Sequence, residues 1–125
     1  MPTVALTKET LESTLVDNDL VFVDFWASWC GPCRMFGPVF EAASEQHPDA
    51  VFAKVDTEDQ QELAGMFGIT SIPTLMAFRE RVLVFSEAGA LPAPEFEKLI
   101  EAVRELDMVE VHRKVAESKG EAAAS

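Results

Sequence analysis

The chain has 125 residues, of which 48% are hydrophobic and 26% charged, so it is long enough for one domain with one core. Its 22 acidic residues outnumber its 10 basic ones and give a net charge of −12, which argues against binding to nucleic acid or to an anionic membrane. The sequence contains no apolar run of membrane-spanning length, and its start lacks the basic and apolar regions of a signal peptide, so we expect neither an anchor nor a targeting segment.

Predicted strands and helices alternate along the first half of the chain. In chain order they are a strand at 3–6, a helix that follows Thr7 as its N-cap, a strand at 20–27, a helix at 32–47, a strand at 51–55 and a helix at 58–67. The segment from Leu20 to Ala27 is nearly continuous in apolar residues. That pattern is typical of a central strand that is covered on both faces.

The second half of the chain predicts a β-hairpin and a closing helix. The hairpin strands are 74–78 and 82–88, and Pro94 opens a helix with one apolar stripe. The whole pattern predicts an α/β fold with a central mixed five-stranded sheet and helices on both of its faces. Residues 108–125 lie beyond this pattern, and we expect a short helix there, followed by a frayed tail over 119–125.

The two cysteines of the chain lie at the predicted junction of a strand and a helix. They belong to the run Trp29-Cys30-Gly31-Pro32-Cys33. The partial positive charge of a helix N-terminus favours a thiolate on Cys30, and Cys33 follows one turn later within reach of a disulfide. We therefore predict a redox pair in which Cys30 is the more exposed and attacks, while Cys33 resolves the mixed disulfide.

A zinc site and a structural disulfide are the two alternatives for the cysteines, and the sequence favours neither. A zinc site usually needs four ligands, and the only other soft candidates, His47 and His112, are distant in sequence. A purely structural disulfide would close a loop too short to constrain much of the unfolded chain. Reactive cysteines without further cysteines for structural bridges favour a reducing, cytoplasmic location.

Asp24 and the Ile72-Pro73 step are the other informative features. Asp24 interrupts an apolar strand, where burial would raise its pKa and make it a proton carrier near neutral pH. The alternatives are a carboxylate that faces solvent or one that is satisfied by structural hydrogen bonds. For Ile72-Pro73 the sequence alone favours a trans bond, because only about 5–6% of such bonds are cis in folded proteins.

The WCGPC run, the strand before it and Ile72-Pro73 downstream resemble the thioredoxin family from about Thr3 to Asp107. The resemblance implies a thioredoxin fold, with a domain at 1–107 and an extension at 108–125. It also implies a cis bond before Pro73, an Asp24 that helps to deprotonate Cys33, and Lys54 close to Asp24. The residues it places at the substrate-binding surface are Trp29, Gly31, Pro32, Ile72, Pro73, Ala88, Gly89 and Ala90.

The function implied by the resemblance is reduction of protein disulfides by dithiol–disulfide exchange. We expect a cytoplasmic monomer without a bound cofactor or metal, which receives electrons from NADPH through a flavin-containing thioredoxin reductase. The Gly-Pro pair between the cysteines resembles the reducing members of the family. The alternatives are a dedicated redox partner of a single enzyme, or a non-catalytic binding subunit that uses the surface around Cys30. One departure is Arg81, which stands where the family usually has glycine in the hairpin turn.

Overall fold

The computed structural model describes the backbone of residues 2–124 and the side chains of residues 2–119. Its strands and helices follow the predicted alternation, and a helix follows after residue 107. In chain order they are β1 (Thr3–Ala5), α1 (Leu11–Asp17), β2 (Leu20–Trp26), α2 (Gly31–Gln46), β3 (Val51–Asp56), α3 (Gln61–Met66), β4 (Thr74–Arg79), β5 (Val82–Ala88), α4 (Ala93–Arg104) and α5 (Met108–Ala124).

The five strands form one mixed sheet in the order β1-β3-β2-β4-β5. Strands β1, β3 and β2 are parallel, whereas β4 is antiparallel to β2 and β5 is antiparallel to β4. The predicted mixed sheet is confirmed. The central strand β2 is buried over Leu20–Phe25, as its apolar run predicts.

Each face of the sheet is covered by a separate apolar cluster. Phe22 packs with side chains of α2 and α4 on one face, whereas Val21 and Val23 pack with side chains of α1 and α3 on the other. Successive side chains of a strand point to opposite faces. Asp24 therefore shares the face of Phe22 and points toward α2, the helix that carries the cysteines.

Four helices begin at residues other than those predicted, and one of them is α4, which begins at Ala93 and not at Pro94. Helix α1 begins at Leu11 and not directly after Thr7, because the Thr10 N–H donates to the Thr7 carbonyl and closes a separate turn first. Helix α3 begins at Gln61 and not at residue 58, because the Asp56 carboxylate accepts the backbone N–H groups of Glu58 and Asp59 and holds a turn there. Helix α2 begins one residue earlier than expected, at Gly31.

The C-terminal extension is more helical than the sequence predicted. Helix α5 runs from Met108 to Ala124, so the predicted frayed segment is helical as far as residue 124, and Ser125 lies outside the described residues. The alanines and charged residues of this segment are strong helix formers, and buried Met108 anchors its start. Within residues 2–124, no helix is both long and apolar enough to cross a membrane.

The guanidinium of Arg79 fastens the end of α4 to the end of β4. Its Nη1 lies 3.0 Å from the carbonyl oxygen of Val103, 2.8 Å from that of Arg104 and 3.0 Å from that of Leu106. The end of α4 and its C-cap residue Glu105 therefore lie beside the last residue of β4. Since β4 has six residues and starts beside Pro73, the end of β4 is about 20 Å from the proline.

The hairpin turn between β4 and β5 has a backbone shape that its residues disfavour. Glu80 and Arg81 have φ angles of 50° and 70°, both in the left-handed region. A two-residue turn with positive φ at both positions matches the twist of a hairpin, but it favours Asn or Gly. Arg81, the residue that departs from the family pattern, therefore adopts the conformation that glycine would adopt more easily.

We expect Arg81→Gly to raise the free energy of unfolding by about 1 kcal/mol, because glycine adopts a positive φ without the steric cost. Urea unfolding measures the change. Gly68→Ala is the matched control, since Gly68 has a φ of 65° in open space, and this variant should lose stability. A lower stability of Arg81→Gly would show that contacts of the arginine outweigh its backbone strain.

Candidate active site

Cys30 and Cys33 lie at the N-terminus of α2 and form a disulfide with a Cα–Cα distance of 5.2 Å. Cys30 is the N-cap residue, and Cys33 lies in the first turn. The backbone N–H of Cys33 donates to the Sγ of Cys30 at 3.2 Å. In the reduced protein, the same N–H and the helix dipole would stabilise a thiolate on Cys30.

The two cysteines do not differ in exposure, which corrects our expectation. Both are 4% exposed in the disulfide form. The physical reason is that the cis-proline loop packs over the pair: the Sγ of Cys30 lies 3.6 Å from the carbonyl oxygen of Ile72. The two sulfurs differ instead in their polar surroundings, because the helix N–H points at Cys30.

The peptide bond between Ile72 and Pro73 is cis, as the family resemblance implied and against the general preference for trans. Pro73 is buried, and its carbonyl accepts the N–H of Gly89 at 2.8 Å. This bond joins the start of β4 to the end of β5. It brings two separate loops together beside the disulfide.

Five of the predicted substrate-binding residues line two recesses. Trp29 and Ile72 line a groove of about 350 Å³ on the α3 side, whereas Ala88, Gly89 and Ala90 line a smaller recess of about 220 Å³ between β5 and α4. Trp29 is 65% exposed. Of the remaining predicted residues, Gly31 is half-buried, Pro32 is exposed and Pro73 is buried. Their role in binding a substrate stays a prediction.

Asp24 is buried, with 1% of its surface exposed, which rules out the alternative of a carboxylate facing solvent. Neither carboxylate oxygen has a hydrogen-bond partner among the described residues. The alternative of a carboxylate that is satisfied by structural hydrogen bonds therefore also lacks support. Burial raises the pKa of Asp24 to about 7, and the nearby charge of Lys54 opposes this rise. The carboxyl group can therefore gain or lose a proton near neutral pH.

Lys54 is the register partner of Asp24 on the neighbouring strand β3. Its Nζ lies 5.1 Å from the ring centroid of Trp26 and makes no hydrogen bond to Asp24. Lys54 and Trp26 line a cleft of about 330 Å³ at the edge of the sheet. The lysine therefore acts on Asp24 through its charge, without neutralising it by direct contact.

One residue near the disulfide was missed by the sequence reasoning. Glu58 accepts the indole N–H of Trp29 on its Oε1, at 2.6 Å. The two residues lie 29 positions apart in different loops, and no local pattern predicts their contact. The structure adds Glu58 to the surface beside Cys30.

The zinc alternative finds no support in the described part of the chain. There, no group of three or more His, Cys, Asp or Glu side chains could hold a metal ion. His47 lies 2.9 Å from the carboxylate of Glu97, and His112 lies 2.9 Å from that of Glu80. Both histidines are therefore engaged in pairs away from the cysteines.

Comparison with known proteins gives a consistent family assignment. The thioredoxin family model matches residues 2–102. A protein of Streptomyces coelicolor named putative thioredoxin 2 is 57% identical over 120 residues, which cover 96% of this chain and 90% of that protein. A thioredoxin of Porphyra purpurea is 40% identical over 97 residues, which cover 76% of this chain and 91% of the other.

Solved structures agree with the sequence matches. A mutant thioredoxin from Halobacterium salinarum superposes with a TM-score of 0.76 and 38% identity, over 83% of this chain and 91% of that chain. Thioredoxin from Plasmodium falciparum superposes with a TM-score of 0.73 and 33% identity, over 80% of this chain and 97% of that chain.

Proposed function

Because the chain belongs to the thioredoxin family, we propose that it is a general reductant of protein disulfides, supplied with electrons from NADPH. Cys30 and Cys33 are its redox-active pair, and it is a protein-disulfide oxidoreductase that works by dithiol–disulfide exchange. The observation that carries the proposal is the N–H of Cys33 on the sulfur of Cys30 at the start of a helix. This arrangement favours the thiolate that attacks a substrate disulfide.

The exchange consists of two displacements at sulfur. The Cys30 thiolate attacks one sulfur of the substrate disulfide, so that a mixed disulfide forms and the other substrate sulfur leaves as a thiolate. The Cys33 thiolate then attacks the Sγ of Cys30, closes the Cys30–Cys33 disulfide and releases the second substrate thiolate. Two electrons pass to the substrate, which is reduced while the protein is oxidised.

Asp24 is the proton acceptor for the second displacement in this proposal. Cys33 must lose its thiol proton before it can attack, and Asp24 points toward the helix that carries it. A pKa of about 7, raised by burial, suits a group that takes up and releases a proton near neutral pH. Lys54 limits the rise of this pKa through its positive charge.

The oxidised protein is returned to the dithiol form by a flavin-containing, NADPH-dependent thioredoxin reductase. The family assignment supports this partner, and the chain itself needs no bound cofactor for the exchange. We propose a cytoplasmic monomer, since both cysteines serve the redox pair and a reducing compartment keeps such a pair active.

A coupled assay tests the proposal. We expect the oxidised protein to consume NADPH in the presence of a bacterial thioredoxin reductase and insulin, with insulin reduction that depends on this protein. A parallel reaction replaces the reductase with dithiothreitol. If this protein reduces insulin with dithiothreitol but not with the reductase and NADPH, the proposed reductase is contradicted. If it reduces insulin with neither electron donor, the disulfide-reducing function is contradicted.

A further inference from the structure

The groove on the α3 side shares a lining residue with the surroundings of the reactive sulfur. It is lined by Ile72, whose carbonyl oxygen lies 3.6 Å from the Sγ of Cys30, and by Trp29. Its volume of about 350 Å³ lies within the range of small-ligand pockets. All lining residues are uncharged: Trp29, Thr57, Gln61, Ala64, Gly65, Ile69, Thr70, Ser71 and Ile72. A residue next to a substrate cysteine can therefore enter this groove.

The rim of this groove carries a carboxylate in a fixed position. Glu58 accepts the indole N–H of Trp29 on Oε1, and its backbone is held at both sides. Its N–H donates to the Asp56 carboxylate at 3.0 Å, and its carbonyl accepts the side-chain amide of Gln61 at 3.1 Å. A carboxylate that already makes one hydrogen bond, on a backbone held by two more, loses less side-chain freedom when it binds a partner.

The indole of Trp29 and the carboxylate of Glu58 together fit a positively charged side chain. An ammonium or guanidinium group is attracted by the face of an exposed indole and by a carboxylate. The basic side chains that flank this region are engaged elsewhere. Lys8 pairs with Glu62 at 2.7 Å, and Arg34 donates to the Ser28 carbonyl at 2.9 Å.

We infer that Trp29 and Glu58 bind a lysine or arginine that flanks the reactive disulfide of a substrate. The inference rests on the proposed disulfide-reducing function and adds the class of substrate that is reduced fastest. The uncharged groove receives the residue beside the substrate cysteine, and the basic side chain contacts the Trp29–Glu58 pair. The net charge of −12 attracts the same substrates at longer range.

Three oxidised synthetic peptides test this inference. They share one intramolecular disulfide and differ only in the residues that flank it on both sides, which are lysine, serine or glutamate. We expect kcat/KM for the lysine peptide to exceed that for the glutamate peptide by about two- to fivefold at low salt. The ratio should approach one at about 0.5 M salt, since the rim is exposed to solvent.

Glu58→Gln is the diagnostic variant, because it keeps an acceptor for the Trp29 indole and removes only the charge. The ratio of kcat/KM for the lysine peptide to that for the glutamate peptide should fall toward one in this variant. The matched control is Glu105→Gln, which removes one exposed charge at the far end of β4 and should keep the ratio of the parent protein.

The possible outcomes separate the inference from the proposed function. Equal kcat/KM for all three peptides would overturn the charge preference while the function stands. An equal fall of the ratio in both variants would assign the preference to net charge and overturn the role of Glu58. No reduction of the serine peptide would instead contradict the proposed function.

Discussion

Cys30→Ser is expected to reduce insulin disulfides no faster than the reagent blank, whereas Cys33→Ser is expected to accumulate mixed disulfides with its substrates. The first variant lacks the sulfur that the helix N-terminus activates, so no attack takes place. The second variant keeps this sulfur but lacks the group that displaces the substrate. Insulin turnover and non-reducing electrophoresis measure the two effects.

The double variant with serine at both positions is the control for binding without chemistry. Many proteins trapped by Cys33→Ser and none retained by the double variant would agree with a general reductant. A single trapped protein would indicate a dedicated partner. A partner that the double variant retains equally well would indicate a binding subunit. Faster iodoacetamide labelling of Cys33 than of Cys30 would contradict the assigned roles.

Asp24→Asn is expected to be more stable than the parent protein at alkaline pH. The pKa of Asp24 is about 7 in the folded protein and ordinarily 3.8, so the folded state holds a proton that the unfolded state has lost. The free energy of unfolding of the parent therefore falls as pH rises from about 4. The contribution of Asp24 to it is lowest above about pH 7. The stability gained by the variant should grow by about 3 kcal/mol between about pH 5 and about pH 8.

Urea unfolding of the oxidised proteins at both pH values measures this difference. Asp17→Asn is the matched control, because it makes the same substitution at an exposed carboxylate at the end of α1. Asp24→Asn should also slow the Cys33 step, since it removes the proton acceptor. A Cys33 step of unchanged rate across this pH range would refute the proton-transfer role.

The fold could be predicted because its signals are local. The apolar run at Leu20–Trp26 and the alternation of strands and helices specify a buried central strand with helices on both faces. The starts of α1 and α3 were wrong by a few residues, because side chains of Thr10 and Asp56 close turns that compete with the first helical turn. The length of α5 was underestimated, because the helix propensity of its alanines and charged residues outweighs its lack of large apolar side chains.

The site was predictable where one residue type breaks a pattern. Asp24 stands out as a charge in an apolar strand, and the cysteines stand out by their spacing. Contacts between distant loops produce no local sequence pattern. The Trp29–Glu58 hydrogen bond and the packing of Ile72 against Cys30 exist only in the folded chain. For the same reason, the equal burial of the two cysteines could not be read from their positions in the helix.

Both tryptophans of the chain lie at the redox pair. Trp26 packs against the cluster of Ala27, Cys30 and Cys33, and Trp29 directly precedes Cys30. The chain has no tyrosine, so its intrinsic fluorescence comes almost entirely from these two indoles. Their emission therefore reports on one end of the molecule only. Stopped-flow fluorescence can follow the formation and resolution of a mixed disulfide in the unlabelled protein, without an added dye.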